Sequence, residues 1–370
     1  MTNAWRVSES GPDRSLIVTQ PAKLGVAVVA FNSRDVITEC LESLFGADAA
    51  DRLVVVVVDN ASSDDTQAVV QGWASGAAPF VPGNACPVAL RPVAKPVAID
   101  VRDLGDESAS TAPLTLLRSP VNGGFAYGVN RGLEHLARRA DVSGFWVLNP
   151  DAVVPPHTPS RFLAAMDGRD FGMLGSRCIY YEMPDKVQTD GGMVDRRTGV
   201  CSSANIGKPV AGTPLPDPAS LDYHTGANTI VSRRFLDTIG MMPEDYFLYF
   251  EEVDWAFRRN GFALELVEGA EIYHHGGTSI GSGAVHRRPS AFSQYFNHRN
   301  RLRFVKRHLP KSRATAFAWT LAKAAQIALE GGRAEARAIL AGAFERAPPN
   351  DVGDRIKDPA ARALAFGKRA

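Results

Sequence analysis

The residues best able to do chemistry are acids in unlike surroundings. Glu251-Glu252-Val253-Asp254 opens a helical stretch, Glu251 to Asn260, that Gly261 stops. Asp254 precedes Arg258 by four residues, the spacing of an ion pair on one helix face, so pairing accounts for Asp254. Glu252 has Trp255 and Ala256 at i+3 and i+4 and no basic neighbour in its helix. A carboxylate without a local partner is a candidate general base, and Glu251 and Asp254 are the alternatives. Four further polar groups end apolar runs: Phe31-Asn32-Ser33, Asp59-Asn60, Asn122-Gly123-Gly124-Phe125 and Asn149-Pro150-Asp151. Any one of them is explained by turn and cap chemistry. Together, followed by the acidic cluster, they describe a site for a polar ligand.

Those runs must be strands for this to hold. Leu24 to Ala30 and Leu53 to Val58 are apolar without alternation, as strands inside a parallel sheet covered by helices are. Between them, Arg34 to Phe45 has helical spacing and closes at Gly46, giving a right-handed β-α-β unit. Ser62 to Asp65 offers caps for a helix to about Trp73; Leu114 to Leu117 and Phe145 to Leu148 read as strands around a helix from Tyr127 to Arg139. The chain is therefore expected to be α/β, with a Rossmann-like, doubly wound, mainly parallel sheet that binds ligands beyond the carboxyl ends of its strands. Residues 76–113, rich in proline, are expected to be an insertion with short edge strands near Val97 to Val101, outside the central sheet. The second half reads as mixed, with strands at Thr229 to Val231, Phe262 to Val267 and Glu271 to Tyr273 and a helix at Arg233 to Ile239. Beyond Pro289 the pattern is helical to about Phe344, and the last residues read as loosely ordered.

Composition narrows the partners. A formal net charge of +1 gives no support to nucleic-acid binding. There is no apolar run long enough to span a membrane and no secretory pattern at the N-terminus. Cys40, Cys86, Cys178 and Cys201 are scattered, without zinc spacing. A cytoplasmic protein with reduced thiols is the expectation. From Ile272 to Leu329 no acid occurs, whereas the segment 287–313 is rich in arginine and lysine beside Leu302, Phe304, Val305 and Leu309. That segment is expected either to dock on the inner membrane face or to close the back of the domain. The sequence does not indicate an oligomeric state.

The first strand runs into Ala30-Phe31-Asn32-Ser33-Arg34, without the glycines that bring backbone to a dinucleotide pyrophosphate, and no Walker A pattern occurs. A phosphate ligand must be held otherwise, and a divalent cation on Asp151 is the expected substitute.

The motifs Val28-Val29-Ala30-Phe31-Asn32, Val57-Val58-Asp59-Asn60-Ala61-Ser62, Asn122-Gly123-Gly124-Phe125 with Asn130-Arg131-Gly132, and Leu148-Asn149-Pro150-Asp151 occur in order. So do Gly226-Ala227-Asn228, Phe247 to Trp255, and Tyr273-His274-His275-Gly276-Gly277-Thr278-Ser279. Over roughly residues 22–305 the chain resembles the inverting glycosyltransferases of family 2, with the GT-A fold, and within them the rhamnosyltransferase-like branch. The resemblance implies a nucleotide-sugar-binding half over 22–150 and a metal- and acceptor-binding half over 151–288. A helical extension over 289–345 and a tail over 346–370 follow. It implies that Asp59, with Phe31, Asn32 and Asn60, holds the nucleotide, and that Asn122, Gly123, Gly124, Asn130 and Asn149 line the donor. Asp151 and His274 would hold Mg2+ or Mn2+, and Glu252 would be the base. The implied donor is dTDP-rhamnose on the branch resemblance, with UDP-sugars next, and the implied acceptor is a glycan or lipid-linked glycan.

The chain departs from the pattern at Asn149, where the family's metal motif begins with an acid, and at Glu252, where it usually has aspartate. Two other readings compete. A nucleotidyltransferase would carry a basic glycine-rich loop after the first strand, which is absent here. A non-catalytic nucleotide-sugar-binding scaffold fits the incomplete metal motif.

Overall fold

In the computed structural model, which describes residues 22–367 apart from 79, 84, 107, 109 and 277–287, the two valine-rich runs form β1 (Lys23–Ala30) and β2 (Leu53–Asp59). They pair in parallel register, Val28 beside Val57 and Ala30 beside Asp59, so both chains leave the sheet at one edge. The crossover is α1 (Ile37–Phe45), and α2 (Thr66–Ser75) follows β2. Next come β3 (Ile99–Asp103), β4 (Leu114–Arg118), α3 (Phe125–Ala137), β5 (Val142–Leu148), β6 (Ala152–Val153), α4 (Thr158–Met166), β7 (Met173–Tyr180) and β8 (Val187–Thr189). A separate hairpin pairs β9 (Gly192–Val194) with β10 (Cys201–Ser203). The chain continues through β11 (Asn228–Ser232), α5 (Arg233–Ile239), α6 (Glu251–Phe257) and β12 (Leu264–His274). It ends in helices α7 (Ala291–His308), α8 (Arg313–Leu329), α9 (Arg333–Ala343), α10 (Asn350–Gly353) and α11 (Pro359–Phe366).

The main sheet runs β3-β4-β2-β1-β5-β11-β7-β12-β6, with β8 on β7. Strands β3, β4, β2, β1 and β5 are mutually parallel; β11 is antiparallel to both its neighbours, and β12 returns parallel to β7. Helices cover both faces. Leu24, Val26 and Val28 pack with Ile37, Leu41, Val70, Trp73 and Phe162 on one side. Ala27 and Val29 pack with Val129, Leu133, Phe235, Trp255 and Phe304 on the other. Burial on both faces is why these strands show no alternation. The α/β class, the mainly parallel sheet and the helical C-terminal region are as the sequence indicates.

Three expectations are corrected. The segment 76–113 is not wholly outside the sheet: β3 is its edge strand, with Ile99 beside Leu114 and Asp103 beside Arg118. Ile99 and Val101 pack on the core while Arg102 pairs with Asp100, a half-buried alternation easily lost among prolines. Phe262 to Val267 and Glu271 to Tyr273 belong to a single strand, β12, whose register shifts between Leu266 and Glu271 around Gly269 at φ +73°. Within 346–370, α10 and α11 are ordered elements. Phe366 stacks on Phe296 and the Ala365 carbonyl accepts from Arg299 Nη1 at 2.6 Å, tertiary anchors that local periodicity does not reveal.

Of the two readings of the basic run, closing the back of the domain is seen for part of it. Arg299 and Arg301 are buried in α7, Arg303 pairs with Glu345, and Arg307 bridges Asp245 and Asp254. Phe304 and Val305 are fully buried. Arg299, Arg301, Phe304 and Val305 close the back of the domain, while Lys306, Arg307, Lys311 and Arg313 stay exposed. The acidic partners of Arg303 and Arg307 come from distant positions, which a local charge count cannot see. Arg287, where the expected segment begins, lies outside the described residues.

Candidate functional site

A continuous series of contacts at the carboxyl edge of the sheet joins the polar strand ends. After β1, Asn32 takes φ +50°, accepts from Ser63 N at 2.8 Å and donates its own N–H to Ser62 Oγ at 3.0 Å. The Phe31 ring beside it is 39% exposed. Asp59, at the end of β2, is wholly buried; its Oδ2 accepts from Gln67 Nε2 at 2.7 Å and from Ser62 N. Its Oδ1 is buried with no partner among the described residues. A buried acceptor left open is costly unless a ligand donor fills it.

Asn60 carries the series to the next strand end. Its Nδ2 donates to Asn122 Oδ1 and to the Gly124 carbonyl at 3.0 Å, and its Oδ1 accepts from Gly123 N. Gly124, at φ +94°, lies so close to Phe247 that a Cβ would come within 2.3 Å of the Phe247 carbonyl oxygen. Phe125 N donates to that same oxygen at 2.9 Å. Asn122, Gly123 and Gly124 thus seat the loop that precedes the acidic cluster.

That loop is held in a costly conformation. Phe247, Tyr249 and Phe250 all have positive φ, between +67° and +76°. Asn300 Nδ2 reaches from α7 to the carbonyls of Tyr246, Leu248 and Tyr249 at 2.9, 2.6 and 3.1 Å, and Arg299 Nη2 adds a bond to Tyr246 O. Tyr249 OH meets Ser293 Oγ at 3.0 Å and Trp255 is buried with its Nε1 on Gly240 O, so both are packing residues.

The three acids of α6 differ sharply. Asp254 is fully buried and saturated: Oδ1 accepts from Arg258 Nε at 3.0 Å, and Oδ2 from Tyr246 OH, Arg307 Nη1 and His308 Nε2 at 2.7–2.8 Å. Burial alone would raise its pKa, but these donors win and hold it near 2. The expected Arg258 pair is present, and four fixed donors hold this carboxylate as an ion-pair anchor. Glu251 is buried with Oε2 unpartnered, and burial followed by the neighbouring Glu252 charge pushes its pKa well up. Glu252 is only part-buried and has no side-chain partner among the described residues; burial raises its pKa, against the backbone N–H groups of Glu252, Val253 and Phe250, which pull it down. A Cβ on Gly226 would come 3.8 Å from Glu252 Cβ, which places this carboxylate against the loop before β11.

From that loop, Ala227 O accepts from Asn149 N at 3.2 Å. Asn149 Nδ2 lies 3.0 Å from His274 Nε2, which is also 3.2 Å from Asp151 Oδ1. Gln188 Oε1 sits 2.7 Å from His274 Nδ1 while Gln188 Nε2 donates to His274 O, so a proton belongs on Nδ1 and Nε2 is the ring nitrogen that faces Asp151. Burial tends to raise the Asp151 pKa, but the His274 charge and hydrogen bond and the His275 charge bring it below the usual value. Two donors about 3 Å apart, one carboxylate and one imidazole fixed by an outer amide, suit a single divalent cation. Among the described residues no group of three or more His, Cys, Asp or Glu forms a cage, so a cation would need further donors from a ligand. His275 pairs with Glu182 at 2.7 Å and stacks on Tyr181, a structural role. Gly277, Thr278 and Ser279 lie outside the described residues.

One expected residue is not brought to the site. Asn130 is buried in α3, its Nδ2 on Met242 O and Glu244 Oε1 at 2.8 Å and its Oδ1 on Met242 N at 3.0 Å. The amide is consumed in anchoring the turn before the acidic loop. Conversely, Gln188, Gln67 and Asn300 support the site and were not singled out in the sequence. Asn300 stood within the acid-free segment, where only its charged neighbours drew notice.

Residues 25–81 match the family profile described as Glycosyl transferase family 2. No curated protein matches the chain. Among solved structures, the chain is similar to GalNAc-T7 with UDP, GalNAc and Mn2+ at 11% identity and TM-score 0.48, over 77% of this chain and 48% of that one. It thus spans about half of that protein's length. It is also similar to the mannosyltransferase PcManGT from Pyrobaculum calidifontis in complex with GDP-Man and Mn2+ (15% identity, TM-score 0.47, 91% and 89% covered). A third likeness is to S. aureus TarS 1-349 in complex with UDP-GlcNAc (15% identity, TM-score 0.47, 93% and 88% covered). Likenesses this distant do not assign a substrate. The family match falls on β1, α1, β2 and α2, the elements that carry Phe31, Asn32, Asp59 and Asn60.

Proposed function

We propose that this chain is an inverting glycosyltransferase that moves a sugar from a nucleotide-sugar to an acceptor hydroxyl. The observation that carries the reading is one edge holding both a carboxylate without a side-chain partner among the described residues, Glu252, and a carboxylate–imidazole pair, Asp151 and His274, linked through Gly226, Ala227 and Asn149. Inversion needs a base for the incoming hydroxyl and charge relief for the leaving diphosphate, and these are the two kinds of group present. Glu252 takes the acceptor proton as the acceptor oxygen bonds to the anomeric carbon. The bond from that carbon to the diphosphate oxygen breaks, and its electron pair leaves with the diphosphate. Asp151 and His274 would hold Mg2+ or Mn2+, which when bound supplies a Lewis acid for the leaving group. The open Asp59 Oδ1 accepts from the base or ribose of the nucleotide, beside the exposed Phe31 ring. dTDP-rhamnose is the first donor to test, UDP-sugars the next, and the acceptor is a glycan or lipid-linked glycan.

The test is incubation with a panel of nucleotide-sugars with Mg2+ or Mn2+, reading released nucleoside diphosphate with excess chelator as control. Slow metal-dependent release from one donor is expected. Binding by calorimetry with no release across donors and acceptors would instead support the non-catalytic scaffold, which Asn149 at the first metal position favours.

A further inference from the structure

Helix α8 is apolar on both sides, and only one side is covered. Ala316, Thr320, Ala324 and Ile327 are buried against its neighbours. On the opposite side Ala314, Ala318, Leu321, Ala325 and Ala328 recur at helical spacing and are all exposed, with Leu329 beside them 90% exposed. Between Arg313 and Glu330 the helix has one charged residue, Lys323, which lies half-buried on the flank. An outward helix face facing water ordinarily carries charge, and one that does not is made for another contact.

Helix α9 extends this surface and gives it a sign. Phe344 meets Phe317 of α8 edge-on at 5.3 Å, and one turn earlier Leu340 is also exposed. Arg333 and Arg337 share that stripe of α9 by helical spacing; both are exposed, without an ion pair among the described residues. At the other end of α8 stand exposed Lys311 and Arg313, and no acid occurs between Ile272 and Leu329. Unpaired arginines in register with a leucine and an aromatic ring fit anionic headgroups over acyl chains.

We infer that the outward face of α8 and α9 docks the protein on an anionic lipid surface. A second copy fits the face less well. The exposed side of α8 is about 25 Å long and one helix wide, roughly 250 Å², and the shorter α9 stripe adds about 150 Å², together about half of the roughly 800 Å² per partner in a stable dimer. Its basic rims would also face each other across a two-fold axis. No helix among the described residues is long and apolar enough to cross a membrane, so the contact is peripheral. The inference stands apart from sugar transfer, because it uses no residue of the candidate site.

The experiment is flotation of the full chain with phosphatidylcholine vesicles made with and without phosphatidylglycerol, alongside sedimentation velocity without lipid. The expected result is monomeric protein that floats with the anionic vesicles and is released by salt. Arg333→Glu with Arg337→Glu should weaken flotation at least about tenfold. Leu321→Glu with Ala325→Glu should do the same, with unchanged circular dichroism and unchanged donor hydrolysis. The exposed arginine pair keeps the test valid if the α8 variant misfolds. Failure to float on anionic vesicles, or a dimer that Leu321→Glu dissociates, would overturn the inference.

Discussion

Glu252 and Asp254 stand on one helix, and their surroundings treat the two carboxylates in opposite ways. Asp254 is drawn to a pKa near 2 by four side-chain donors, whereas Glu252 meets only backbone N–H groups and is raised by burial. Environments that drive neighbouring acids apart separate an ion-pair anchor from an acid–base group. Glu252→Gln should therefore lower turnover by roughly 10²–10⁴-fold with donor affinity little changed, read by diphosphate release and calorimetry. Retention of most of the rate would exclude Glu252 as base. A base acts deprotonated, so the rate falls as pH drops through the raised Glu252 pKa. Glu251 is raised by burial and by the Glu252 charge, so it is still protonated when Glu252 ionises, and Glu251→Gln should leave the acid limb of the pH–rate profile in place. A limb that moves to lower pH would mean that Glu251 is charged beside Glu252. The Asp254–Arg258 pair was legible because helix register is local. Arg307 and His308 were not, since they arrive from another helix, and neither was the consumption of Asn130 by Met242 and Glu244.

The loop before α6 is the element on which Glu252 depends. Its run of positive φ persists because Asn300 satisfies carbonyls that the unusual backbone turns toward α7. Asn300→Ala leaves those acceptors without their donor and should cost about 1–3 kcal/mol in unfolding free energy. Turnover should fall with it while nucleotide affinity holds, because Asp59 and Asn60 lie on other elements. Wild-type stability and rate would show that the loop holds itself. The strands β1, β2, β4 and β5 were readable because burial on both faces leaves long apolar runs. β3 was not, since an edge strand is half polar and prolines surround it. Helix α11 was not either, because stacking on Phe296 and a bond to Arg299 anchor it, contacts with no local signature.

At the scale of the molecule, Asp254 ties the site to the C-terminal helices. Its carboxylate joins α6 through Arg258, the preceding turn through Tyr246, and α7 through Arg307 and His308. The basic run that looked like a surface feature is thus half of an internal bond between the two parts of the chain. The folded Asp254 pKa, about 2, lies below the ordinary 3.8, so the folded state binds its proton less readily than the unfolded chain. Its contribution is full above pH ~4 and is lost as pH falls through about 2, a difference of roughly 2 kcal/mol. Asp254→Asn removes that dependence and takes a counter-ion from the part-exposed Arg258 and Arg307, at a cost of roughly 2 kcal/mol near neutral pH. Chemical denaturation of both proteins between pH 6 and about 2 checks this. The gap in stability should be widest near neutrality and narrow as acid protonates the wild-type carboxylate. A gap independent of pH would mean that shape, not charge, joins the helical extension to the site.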